Sequence, residues 1–156
     1  MNLLLVQHGE AKTEAEDPER SLTDGGAEAT RRMATWAAAC GLRVDRIQHS
    51  GKRRAEQTAE ILAEGLNPAK GVIAVPGLKP NDDIRPVAET IKIQEDAIML
   101  VGHLPFMSRL ASLLLAGDPE AGVVRFRMSG IVCLNREDGE WSLRWAVTPE
   151  LVPSAD

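Results

Sequence analysis

The chain holds three histidines, and two of them stand where a nucleophile would be sought. His8 lies in Gln7-His8-Gly9, directly after the run Leu3-Leu4-Leu5-Val6. His103 follows Gly102, after Ile98-Met99-Leu100-Val101. A third segment, Ser50-Gly51-Lys52-Arg53-Arg54-Ala55-Glu56-Gln57-Thr58, comes after Asp45-Arg46-Ile47-Gln48. Neutral imidazole is nucleophilic near pH 7, and the phosphoramidate it forms on taking a phosphoryl group is readily hydrolysed. Phosphoryl transfer also needs positive charge and N–H donors around three equatorial oxygens, in place before reaction begins. Arg54 suits that demand, because its planar fork binds two oxygens at once. His103 can donate a further hydrogen bond, and as imidazolium it would add charge. A neutral nucleophile beside a charged neighbour requires the two pKa values to be pushed apart.

Such residues meet only if the fold gathers them. The two continuous apolar runs read as strands covered on both faces, hence as parallel strands. Parallel strands end on one edge of a sheet, and α/β proteins bind ligands in the crevice there. Thr23 predicts the N-cap of a helix running to about Gly41, with Thr30, Met33, Ala34, Ala37 and Cys40 on its inner face. Ser50 predicts the cap of a second helix reaching about Gly65, which places Arg54 in the first turn, near free backbone N–H groups. Val72 to Val75 reads as a strand, Arg85 to Ile93 as a short helix, and Phe106 to Ala116 as an apolar helix stopped by Gly117. Strand-like stretches follow at Val123–Arg127, Gly130–Asn135 and Trp141–Val147, the last two as a hairpin turning at 136–140. Thr148 to Asp156 reads as a surface strap or frayed end.

The 156 residues make one domain, 1–156, with 44% hydrophobic and 26% charged residues, an ordinary globular composition. A net charge of −5 points away from nucleic-acid and membrane partners, so any phosphate pocket is a local basic feature. No apolar run approaches the ~20 residues of a membrane span, and Met1 leads straight into a core strand with no signal peptide. Cys40 and Cys133 lack metal-type spacing and read as two buried free thiols of a cytoplasmic protein. Trp36, Trp141 and Trp145 read as packing. Three histidines without a paired carboxylate motif offer no metal site, and no cofactor is expected.

At these positions the chain resembles the histidine phosphatase superfamily, the phosphoglycerate-mutase-like fold. The resemblance runs through His8-Gly9-Glu10-Ala11, Leu22-Thr23, Arg54-Ala55-Glu56-Gln57-Thr58, Leu78-x-Pro80 and His103-Leu104-Pro105. It is nearest the SixA-type phosphohistidine phosphatase branch. It implies a three-layer α/β sandwich, with a mostly parallel central sheet and helices on both faces. It also implies a transient phosphohistidine on His8, with Arg54 and His103 clamping the phosphoryl group. Gln7, Gly9, Ser50 and His49 complete the candidate phosphate contacts. The compact branch lacks the insertions that roof the pocket in its larger relatives, and 75–97 leaves no room for one. An open site suits a phosphorylated side chain on another protein. In that branch the substrate is the phosphohistidine of a histidine phosphotransfer domain in a two-component relay, or of a phosphotransferase-system carrier.

The superfamily begins its motif with arginine, where this chain has Gln7. An amide still donates hydrogen bonds to phosphate, but losing the charge could cost roughly 2–4 kcal/mol of transition-state stabilisation. Lys52, Arg53 or His49 could compensate. Proton-donor candidates are Asp83, and after it Asp82 or Glu10, though a phosphoramidate leaving group can arrive already protonated on nitrogen. Two rival functions use the same residues. One is a phosphatase for a small phosphate ester, and the other is a weakened phospho-binding module.

Overall fold

The computed structural model describes residues 1–154. Six strands form one sheet: β1 (Asn2–Gln7), β2 (Arg46–His49), β3 (Val72–Ala74), β4 (Ile98–Gly102), β5 (Ile131–Glu137) and β6 (Glu140–Val147). Their order across the sheet is β3-β2-β4-β1-β5-β6. The first four strands are mutually parallel, whereas β5 pairs antiparallel with β1, and β6 with β5. Strands β1 and β4 sit at the centre with their apolar residues fully buried, which explains why both read as unbroken apolar runs.

Strand alternation divides the core in two. Leu4, Val6, Met99, Val101 and Ile47 face α1 (Asp24–Ala39) and α2 (Arg53–Leu66). Leu3, Leu5, Ile98 and Leu100 face α3 (Arg85–Ile91) and α4 (Phe106–Ala116). The result is the expected three-layer sandwich. Thr23 caps α1 by accepting from the Gly26 N–H at 2.9 Å. Asp138 and Gly139 both take positive φ in the β5–β6 turn, the backbone a tight hairpin requires.

Three expectations fail locally, and the C-terminal strap gains detail. Val123–Arg127 is no strand: it forms no ladder with the sheet and instead buries Phe126 against the α4 layer. Ser50 does not cap α2: the helix starts at Arg53 with Lys52 as its N-cap, so Ser50 lies two residues before the cap position and its hydroxyl meets His103 and the Lys52 N–H instead. Cys40 lies past the end of α1 and is exposed, while Cys133 is buried in β5. Within the strap 148–156, Pro149–Leu151 forms a 3₁₀ turn that buries Pro149 and Val152; residues 155–156 lie outside the described residues.

The N-terminus of α1 approaches the loop after His8 closely. A Cβ on Gly26 would stand 2.2 Å from the Glu10 carbonyl oxygen, a backbone atom that cannot step aside. Gly26→Ala is expected to lower stability by about 1–3 kcal/mol, read as a fall in urea midpoint at unchanged m-value. An unchanged midpoint would show that this contact does not constrain the loop.

Candidate active site

Gln7 and Gly102 are paired in register at the ends of β1 and β4, so His8 and His103 are the next residues on adjacent strands. The His8 N–H donates to the Gly102 carbonyl at 3.0 Å, extending the ladder by one bond. The two rings follow at a centroid distance of 5.0 Å, close to the ~4.8 Å spacing of neighbouring strands. His8 Nδ1 lies 2.7 Å from the Gly9 carbonyl oxygen. A carbonyl only accepts, so Nδ1 carries the ring proton and Nε2 keeps the lone pair. His8 is thereby held in the tautomer a nucleophile needs.

Arg54 sits in the first turn of α2 and is tied to the His8 loop through Thr58. The Thr58 hydroxyl donates to the Arg54 carbonyl at 2.7 Å and accepts from the Gly9 N–H at 2.9 Å. This is the physical use of the Arg54-x-x-x-Thr58 spacing: one helical turn aligns the hydroxyl with the carbonyl four residues back. The Gly9 N–H is therefore committed to Thr58 and is no phosphate donor. A Cβ on Gly9 would meet Ser129 Oγ and Thr30 Oγ, each at 3.0 Å, so this glycine serves close approach.

Ser50 Oγ and His103 Nε2 are 2.6 Å apart, and Ser50 Oγ also accepts from the Lys52 N–H at 3.3 Å. In the tautomer where the Ser50 O–H donates to Nε2, the His103 proton stands on Nδ1. That Nδ1 is buried with no hydrogen-bond partner, as is Arg54 Nε. Buried polar groups left unpaired mark a site built for something other than stability.

Burial first, and then the charges of His8, Arg54, Lys52 and Arg20, push the His103 pKa down to about 3. His103 is thus neutral at neutral pH, which replaces the imidazolium expected from the sequence. His8 is also lowered, by burial above all, with Arg54 and Arg20 adding to it against the opposing Gly9 bond. A lowered pKa keeps the nucleophilic form populated further into acid. The acid limb of kcat/KM is accordingly expected below pH 6.5, and a limb centred above 6.5 would contradict this account.

Gln7 ends β1 opposite Gly102, at the sheet edge beside His8. The other candidates are placed elsewhere. His49 is buried on the opposite face with Ile47, and its Nδ1 accepts from the Gly51 N–H at 3.1 Å, which makes it part of the turn into α2. Arg53 is paired with Glu56 at 2.6 Å and so is not free to replace a missing cation. Asp83 is exposed and paired with Arg85, whose hydrogen bonds hold it ionised and unsuited to donate a proton. Asp82 accepts from the Lys79 N–H, and Glu10 accepts from the Thr23 hydroxyl at 2.8 Å.

Arg20, not singled out from the sequence, bears on the site directly. Its positive charge disfavours protonation of His8, His103 and Arg54 alike. Among the described residues neither Arg20 nor Arg54 forms an ion pair. The sequence signal was faint: one arginine directly after the acidic stretch Glu14 to Glu19 and before Ser21-Leu22-Thr23.

A family model of the histidine phosphatase superfamily (branch 1) matches residues 3–80, which is half of the chain and includes His8 and Arg54. The chain belongs to the histidine phosphatase superfamily. The phosphohistidine phosphatase SixA of Escherichia coli (strain K12) is 27% identical over 155 residues, covering 96% of this chain and 94% of that one. A structure of the protein histidine phosphatase SixA complexed with tungstate superposes with a TM-score of 0.86 at 25% identity, covering 97% of this chain and 99% of the other. A phosphoserine phosphatase variant from Entamoeba histolytica superposes at 0.73 with 16% identity, covering 96% and 98%. That likeness is one of fold alone. As a superfamily member the chain is a phosphatase-type hydrolase.

Proposed function

We propose that the protein removes the phosphoryl group from a phosphohistidine on another protein, through a phosphohistidine formed on its own His8. The observation that carries the chemistry is the 2.7 Å bond from His8 Nδ1–H to the Gly9 carbonyl, which leaves Nε2 as the nucleophile. Nε2 attacks phosphorus, its lone pair forms the new P–N bond, and the substrate's P–N bond breaks with its electron pair leaving on the substrate imidazole. Water then attacks the phosphoryl group, the P–Nε2 bond breaks, and inorganic phosphate departs. Arg54 and the His103 Nδ1–H hold the equatorial oxygens as charge redistributes.

A phosphohistidine substrate agrees with the state of the nearby carboxylates. Asp83 is held ionised by Arg85, and a phosphoramidate protonated on nitrogen leaves without an enzyme acid. A protein substrate agrees with the short connection from β3 to α3, only residues 75–84, which leaves no segment for a roof. Histidine phosphotransfer domains and phosphotransferase-system carriers are the substrates to try, and a cytoplasmic setting fits both. No helix among the described residues is long and apolar enough to cross a membrane.

The test is a side-by-side measurement of phosphate release from a chemically phosphorylated histidine phosphotransfer domain and from p-nitrophenyl phosphate. The expected result is kcat/KM at least ~10-fold higher on the phosphoprotein. Equal or better turnover of the small ester would transfer the assignment to a small-molecule phosphatase. Phosphate binding without turnover of either would make the protein a binding module.

A further inference from the structure

The segment from Lys12 to Ser21 is an ordered loop organised by one carboxylate. Asp17 accepts from the N–H of Glu19 and the N–H of Ser21, each at 3.0 Å, and from the Ser21 hydroxyl. These hydrogen bonds hold its pKa down to about 2. The loop is closed by the Lys12 N–H on the Ser21 carbonyl at 2.8 Å and by the bridge between Ala11 and Leu22. It is anchored to α2 by the Leu22 N–H on Gln57 Oε1 at 2.7 Å, one helical turn past Arg54. Arg20 sits where these restraints meet. Its backbone takes φ +50°, a left-handed conformation that a non-glycine residue adopts only when its surroundings enforce it. Its N–H donates to the Asp17 carbonyl at 2.9 Å, and its Nε donates to the Lys12 carbonyl at 3.1 Å.

Spending Nε on a backbone carbonyl fixes the guanidinium plane and leaves the two terminal nitrogens as the forward fork. Arg20 is half-buried, no carboxylate among the described residues neutralises it, and a second unpaired guanidinium, Arg54, lies close enough to be destabilised by it. Two like charges kept together without a counter-charge, in a protein of net charge −5, describe an anion site.

We propose that Arg20 is the second guanidinium of the phosphate site, supplying the charge that Gln7 lacks, and that Asp17 is the positioning residue that holds it there. This rests on the site's taking a phosphoryl group, and it adds which side chains bind that group. The superfamily's cation is thus supplied from the loop rather than from the end of β1. Arg53, paired with Glu56, and His49, bonded to the Gly51 N–H, do not balance the change at position 7.

The test reads the dissociation constant of inorganic phosphate by calorimetry, together with kcat/KM on the phosphorylated phosphotransfer domain. Arg20→Ala is expected to weaken phosphate about 10- to 100-fold, the range of one charge-assisted contact. Gln7→Arg placed in the Arg20→Ala background is expected to recover at least ~10-fold, while Gln7→Arg alone gains little. Asp17→Asn is expected to weaken phosphate by about 3- to 10-fold in the wild type and not at all once Arg20 is gone, as a positioning role requires. Phosphate affinity within twofold of wild type in Arg20→Ala would overturn the proposal. So would an Asp17→Asn loss that persists without Arg20, or the absence of recovery by Gln7→Arg in a variant whose melting is unchanged. If the wild type binds phosphate but fails to hydrolyse phosphohistidine, the substrate assignment falls and the role of Arg20 stands.

Discussion

His8→Ala is expected to lose at least about 10³-fold in kcat on a phosphohistidine substrate and to take no acid-labile, alkali-stable phosphoryl label. The size follows from geometry. The Nδ1–H on the Gly9 carbonyl leaves the Nε2 lone pair of this imidazole free, and burial lowers its pKa toward the neutral form. Its removal leaves Arg54, His103 and the loop in place, since His8 is held to the sheet by its backbone N–H, which alanine retains. Inorganic phosphate should therefore still bind to the variant. That pairing of lost turnover with kept affinity separates a nucleophile from a structural residue. Turnover above a tenth of wild type would remove His8 from the role. Wild-type turnover without label would mean that water attacks the substrate directly.

Arg54→Ala is expected to cost at least ~100-fold in kcat/KM while leaving the melting temperature unchanged or raised. The first part follows from the loss of a charged fork at the transferring phosphoryl group. The second follows from what Arg54 does without substrate. It makes no ion pair, its Nε is buried without a partner, and burial together with the Arg20 charge disfavours its protonated form. The bond that ties α2 to the His8 loop uses the Arg54 carbonyl, not its side chain, and survives the substitution. A protein that is less active and no less stable is the signature of a residue kept for function. A loss of a few-fold, or one accompanied by a large fall in melting temperature, would contradict this assignment.

The core of the site was legible in the sequence because each of its strands is buried on both faces. An apolar run such as 98–101 that stops at Gly-His announces both a strand and the place where the strand opens to ligand. Arg54 was legible for a related reason, since its spacing to Thr58 is one helical turn. Arg20 was not. Its position depends on the turn that Asp17 builds and on a left-handed backbone angle, and nothing in Glu19-Arg20-Ser21 predicts either. Ser50 illustrates the opposite error. Local preference made it a helix cap, but α2 starts later, at Arg53, and the Ser50 hydroxyl stands 2.6 Å from His103, 53 positions away in sequence. Val123–Arg127 reads as a strand, yet its Phe126 packs into the core on the α4 side, a contact made by residues distant in sequence.

The register of β1 against β4 has a consequence for how such a protein can diverge. The separation of the His8 and His103 rings is measured out by peptide geometry, from Gln7 opposite Gly102. It is a ruler made of main chain, and no particular core side chain sets its length. Substitutions in the two apolar layers can accumulate while that interval stays the same, provided the strands still pair. This is how a chain can share 27% of its residues with a relative and keep the same frame. What inheritance has to guard is the parity of two strand ends, because shifting either histidine by one position would turn its ring to the opposite side of the sheet.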